Sequence, residues 1–104
     1  MSKKKFEITA FIYDKRGNIL SIGKNSYVKT HPLQAMFAKK VGEEHKVFLH
    51  AEIHAIIRCA NLDRAHRIAV FRYNEAGGAV LAKPCKICLA AIRNHTNIKI
   101  IEHT

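Results

Sequence analysis

His50-Ala51-Glu52 opens an apolar run that continues through Ile53, Ala55, Ile56 and Ile57, and Pro84-Cys85-Lys86-Ile87-Cys88 opens a second such segment further along. Read together, the two stretches supply one imidazole and two thiols and leave a carboxylate over. A structural zinc site closes with four protein ligands, whereas a catalytic one keeps a position open for water. Three ligands and a spare acid therefore read as a hydrolytic zinc site, and both stretches read as helix starts. The first helix is expected to run to about residue 60 and the second over residues 85–94.

Working outward, residues 6–13 alternate as a strand does, with Phe6, Ile8, Ala10 and Ile12 on one face. Asp14-Lys15-Arg16-Gly17-Asn18 has turn chemistry, and residues 19–23 return as a second strand, which makes a hairpin. Residues 24–31 form a polar loop. Pro32 fits the first turn of a helix capped by Thr30 or His31, with Leu33, Met36, Phe37 and Val41 on one face and Gly42 ending it. Val47-Phe48-Leu49 leads into the His50 helix. Residues 68–73 are a third strand, residues 74–81 a turn or short hairpin extension around Gly77-Gly78, and residues 98–101 a final strand. The order β-β-α-α-β-α-β predicts an α/β protein, a sheet with helices packed on it.

The 104 residues are expected to form one domain, 1–104. No apolar run reaches the roughly 18 residues that a membrane helix needs, and the basic start, Met1-Ser2-Lys3-Lys4-Lys5, is followed by no apolar signal-peptide core. A cytoplasmic protein is expected. The three cysteines, two of them at Cys-x-x-Cys spacing, suit metal or redox use in a reducing compartment better than a disulfide framework. Eighteen Lys and Arg against eight Asp and Glu give a net charge of +10, which favours an anionic partner, a phosphorylated small molecule or a nucleic acid. The basic residues are scattered, so charge selects the partner's sign and not its identity.

At a helix N-terminus the unsatisfied N–H groups and the positive dipole end face the metal, which favours the thiolate forms of Cys85 and Cys88. Residues three apart share a helix face, so both sulfurs reach one ion. A zinc with one position left open makes hydroxide available near neutrality. Glu52 beside that water is placed to take its proton and return protons to a ring nitrogen and a leaving amine.

His-Ala-Glu followed by Pro-Cys-x-x-Cys, each opening a helix with a strand between them, resembles the zinc-dependent cytidine/deoxycytidylate deaminase superfamily. The resemblance covers about residues 6–101. It implies a compact, minimal version of the cytidine deaminase-like three-layer fold, with a mixed sheet of about four to five strands. It also implies His50, Cys85 and Cys88 as zinc ligands, Glu52 as the proton shuttle, and Ala51, through its backbone N–H, and Asn25 as substrate contacts. Lys83 stands before Pro84 where many cytosine-acting members have serine and many purine-acting members glutamate; its carbonyl remains available to an exocyclic amine. The family's usual helix before the first strand is not visible, unless residues 33–41 take its place, and neither are a further strand and helix beyond the last strand.

Three functions follow as alternatives. The first is hydrolytic deamination of a cytosine nucleoside or nucleotide, dCMP-like, to the uracil product and ammonia. The second is editing of a cytosine or adenine in single-stranded DNA or RNA, including tRNA. The third is a non-catalytic domain that uses zinc to join two helices, in which Glu52 would have no task. A homo-oligomer is expected, because a small open sheet completes itself against a partner. His54 is read as structural, Cys59 as a buried apolar residue, and Phe71 and Tyr73 as strand packing in preference to base contacts.

Overall fold

A computed structural model describes residues 7–46 and 48–104; Phe6, Val47 and the basic residues 1–5 lie outside them. The described chain is a mixed five-stranded sheet with three helices. Strands β1 (Glu7–Tyr13) and β2 (Ile19–Lys24) form the expected antiparallel hairpin. Asp14 builds its turn: Oδ1 accepts the N–H groups of Arg16 and Asn18, each at 2.9 Å, and Oδ2 accepts from the Asn18 side chain at 3.1 Å. Gly17 turns the chain at φ +87°, where a side chain would be strained.

Strand β3 (Arg67–Tyr73) lies antiparallel to β1, with Glu7 opposite Tyr73 and Tyr13 opposite Arg67. Its other edge is shared. Strand β5 (Ile100–His103) runs parallel to Arg67–Val70, and the short β4 (Ala79–Val80) pairs antiparallel with Arg72 and Tyr73. β4 falls in the stretch read as a turn or hairpin extension. β5 starts at Ile100 and not at Ile98, because Thr96 Oγ1 holds the Ile98 N–H at 3.2 Å in a local turn.

Helix α1 (Pro32–Lys40) begins with Pro32 in its first turn and is capped by His31, whose Nδ1 accepts the Leu33 N–H at 3.0 Å. Helix α2 (Ala51–Arg58) stops short of residue 60: Cys59 leaves helical geometry, and its N–H turns to the Ile56 carbonyl. Helix α3 (Lys86–His95) is the crossover that allows β3 and β5 to run parallel. One face of the sheet, with Ala10, Ile12, Ile68 and Val70, is buried against Ile53 and Ile56 of α2 and Ile87, Ala91 and Ile92 of α3. α1 packs against α3, burying Phe37 and Ala38.

α2 is drawn unusually close to the hairpin. A Cβ on Gly23 would collide with the backbone of Ala51 and Ala55, so only glycine lets the helix lie this near β2. Two residues back, the buried Ser21 hydroxyl donates to the Ala55 carbonyl at 2.7 Å. That carbonyl lies in the last turn of α2, where no intrahelical donor follows, and the serine supplies one.

Candidate metal and active site

The two motif segments meet at the N-termini of α2 and α3. His50 is the extended residue immediately before α2, at φ −82° and ψ 153°, and Cys85 stands in the same relation to α3, at φ −73° and ψ 174°. Cys88 lies one turn into α3. Neither helix has a side-chain N-cap, so the positive ends of both are directed at this junction without a competing acceptor from the capping residue. His50 Nδ1 lies 3.3 Å from Cys88 Sγ and 3.5 Å from Cys85 Sγ. One ligand atom from each of the three residues lies within 4.8 Å of the other two.

These separations fit a metal. Zinc bonds of about 2.0–2.1 Å to nitrogen and 2.3 Å to sulfur, at tetrahedral angles, place N and S roughly 3.5 Å apart. The donor set fits as well, since one imidazole and two thiolates suit zinc and leave a fourth position. Among the described residues no other His, Cys, Asp or Glu joins the group.

The charges divide unevenly within it. The Cys88 thiol donates to Cys85 and, with His50 adding to the effect, brings Cys85 down to about 3. Cys88 is pushed well above the usual thiol range by that same bond and by burial. His50 is raised, chiefly by its bond to Cys85. Ligation requires both sulfurs without protons and the imidazole neutral, so metal binding at this group competes with protons.

Glu52, in the first turn of α2, is only 6% exposed, and burial raises its pKa above the ordinary carboxylate value. It lies in the wall of a cavity of about 430 Å³ whose other polar residues include Asn25, His50, Arg72, Lys83 and Cys85. Asn25 is held in place by two bonds to Ile8: its Oδ1 accepts the Ile8 N–H at 3.0 Å, and its own N–H donates to the Ile8 carbonyl at 3.2 Å. Ala51 is fully buried behind this wall and does not line the cavity. At the mouth, Tyr27 and Phe48 are each 48% exposed and Leu81 is 68% exposed.

The chain from residue 1 to 103 matches the model of the family described as "Cytidine and deoxycytidylate deaminase zinc-binding region". It belongs to that family. The zinc dependence and α/β fold implied by the motifs stand on this match together with the His50, Cys85 and Cys88 grouping, and the coarse activity that goes with both is deamination. No curated protein and no solved structure matches the chain.

Strand alternation sorts the remaining candidates in this deaminase. Ile68, Val70 and Arg72 share the inward face of β3, so it is Arg72 that lines the cavity. Phe71 is on the opposite face, edge-on to Phe11 with ring centres 5.6 Å apart, and does the packing expected of it. A charged residue in phase with two buried aliphatic ones was the available signal for Arg72. Tyr27 and Phe48 carried none, because loop aromatics have no periodicity. His54 is structural: its Nδ1 accepts the Lys24 N–H at 3.0 Å and ties α2 to the end of β2. Cys59 is buried, as read, and its thiol is raised by desolvation.

Proposed function

We propose that this deaminase hydrolyses the exocyclic C–N bond of cytosine in a nucleoside or nucleotide, with a dCMP-like substrate, giving the uracil product and ammonia. The observation that carries this reading is the buried carboxylate of Glu52 beside a three-ligand metal group on the wall of a cavity. His50, Cys85 and Cys88 would hold zinc, which supplies a Lewis acid that makes water nucleophilic near neutrality. Glu52 would take one proton of the attacking water as the oxygen bonds to C4 and pass it to N3. It would then take the remaining hydroxyl proton and pass it to the amine as the C–N bond breaks, so both protons of the water are used and the products are the C4 carbonyl and NH₃. Burial suits it to this exchange, since desolvation raises its pKa and makes it a stronger base than an exposed carboxylate.

Asn25, Lys83 and the backbone N–H of Ala51 are assigned to substrate binding. Asn25 and Lys83 line the cavity; Ala51 does not, and would take part only through its N–H in the N-terminal turn of α2, where N–H groups have no intrahelical partner. Arg72, Lys46 and Lys83 around one cavity support a phosphate-bearing substrate. A second reading, a base in single-stranded DNA or RNA, is favoured by the exposed rim of Tyr27, Phe48 and Leu81, on which neighbouring bases would stack.

The test is ammonia release and ultraviolet change by zinc-replete protein with dCMP, dCTP, cytidine, deoxycytidine and adenine and guanine counterparts. Turnover of dCMP above its nucleoside supports the first reading. No turnover of any monomer, with conversion of a single-stranded oligonucleotide that weakens steeply with salt, replaces it by the second. Glu52→Gln should lower turnover about 10²–10⁴-fold, the usual worth of a positioned acid–base group, and leave zinc content intact. A Glu52→Gln protein as active as the wild type would remove the proton shuttle from the scheme. The homo-oligomer expected from the open sheet is checked by sedimentation of the zinc-loaded chain.

A further inference from the structure

Gln34 lies in α1, outside the cavity, and is fully buried. Its side-chain amide is used at both ends. Nε2 donates to the Lys46 carbonyl and Oε1 accepts the His50 N–H, each at 3.2 Å. One side chain thus closes both ends of the segment 46–50 onto α1. The other side of that segment is held by main-chain bonds, from the Leu49 N–H to the Lys29 carbonyl and from the Ser26 N–H to the Leu49 carbonyl, both at 2.9 Å.

The position of the two bonds gives them their significance. The imidazole of His50 is the one nitrogen in the metal group, and it hangs from a residue just outside α2. The sulfurs come from a different helix, α3. α1 touches both halves, since Gln34 bonds the backbone of His50 while the helix packs against α3, which carries Cys88. Lys46, Phe48 and Leu49, which the same amide holds in register, form one wall of the cavity.

We infer that Gln34 is a positioning residue for the metal centre: it fixes the backbone of His50 relative to Cys85 and Cys88 and holds the cavity wall that precedes His50. The inference rests on the reading of His50 as a metal ligand. The two bonds are part-buried, and a backbone N–H or carbonyl that loses its partner is driven to find another, so without the amide Lys46 and His50 shift toward solvent and the imidazole moves with them. Partners outside the ligand shell change metal affinity about 10–100-fold when they are removed.

Two substitutions test it, read by cobalt(II) spectra, zinc competition against a chromophoric chelator, and melting of the metal-free chain. Gln34→Met keeps the volume and loses both bonds. Gln34→Glu keeps an acceptor for the His50 N–H whether its carboxyl is protonated or not. The expected result for Gln34→Met is zinc bound about tenfold more weakly, with displaced cobalt d–d bands and a raised KM. Gln34→Glu should restore the bands and bring the zinc affinity to within about threefold of wild type, as recovery of the outer-shell contact requires. If Gln34→Met melts lower while its cobalt bands and zinc affinity equal those of the wild type, Gln34 is core packing and the inference falls. If Gln34→Met does not fold, Gln34→Glu decides alone: wild-type bands support the inference, and displaced bands overturn it. A wild-type chain without a thiolate-to-cobalt charge-transfer band would end the metal reading itself, a separate failure that takes this inference with it.

Discussion

The two arms that meet at the metal group are built differently. The α2 arm, with His50 and Glu52, is clamped from several sides: Gly23 lets the helix sit on β2, Ser21 holds its last turn, His54 ties it to Lys24, and Gln34 holds the backbone just ahead of it. The α3 arm, with Cys85 and Cys88, is reached through the segment 81–85, which is fastened chiefly from the sheet edge. There the Thr104 carbonyl accepts the Ala82 N–H at 2.8 Å, and the Thr104 hydroxyl donates to the Val80 carbonyl at 2.6 Å and accepts the Arg72 N–H at 3.1 Å. The contrast fits the chemistry. A carboxylate that served as acid–base group would need to be held in one place, whereas two sulfurs that bound one ion would be held by the ion as well.

The largest effect should come from Gly23→Ala. Its new Cβ meets backbone and not a flexible side chain, so α2 must withdraw from β2. Overpacking of this kind costs about 1–3 kcal/mol or more, and both melting temperature and zinc affinity should fall. A Gly23→Ala protein with wild-type stability would show that the closeness of α2 to β2 is dispensable. Ser21→Ala comes next. It leaves the Ala55 carbonyl buried without its donor, a loss of about 1–3 kcal/mol measurable by urea unfolding, with little change in the cysteine arm.

Thr104→Val tests the other arm. Losing two bonds at a half-buried edge should cost about 1 kcal/mol in the metal-free chain, and if this edge positions the sulfurs the variant should also bind zinc more weakly, so the gap from wild type should widen in zinc. A gap that is the same with and without zinc would show that this edge does not position the sulfurs.

The smallest effect belongs to Asp14, remote from both arms. Its bonds to Asn18 and Arg16 hold its carboxyl below the ordinary value, so the folded chain binds fewer protons there than the unfolded one. The stability it adds is complete above the unfolded carboxylate pKa and is lost as pH falls through the lower native value. Melts of wild type and Asp14→Ala should therefore differ near about pH 7 and converge in acid; a gap that persists in strong acid would assign the effect to turn geometry alone.

Local chemistry was legible in the sequence because it depends on neighbours in the chain. The hairpin follows from alternation and from Asp14 and Gly17 in its turn, the start of α1 from Pro32 and His31, and the metal group from two short motifs whose residue types leave few other uses. The family match agrees with the last of these. Tertiary structure decided what depends on distance across the fold. Gly23 looked like an ordinary residue at the end of a strand until α2 was laid over it. Gln34 had no partner in view until the segment 46–50 folded back onto α1. Arg72 took on meaning once β3 had a definite inward face and a cavity at its end. A ligand set can be written in adjacent residues, because ligand identity is a matter of atoms. The means of holding those ligands still is written in contacts between segments far apart in the chain, and only packing brings them together.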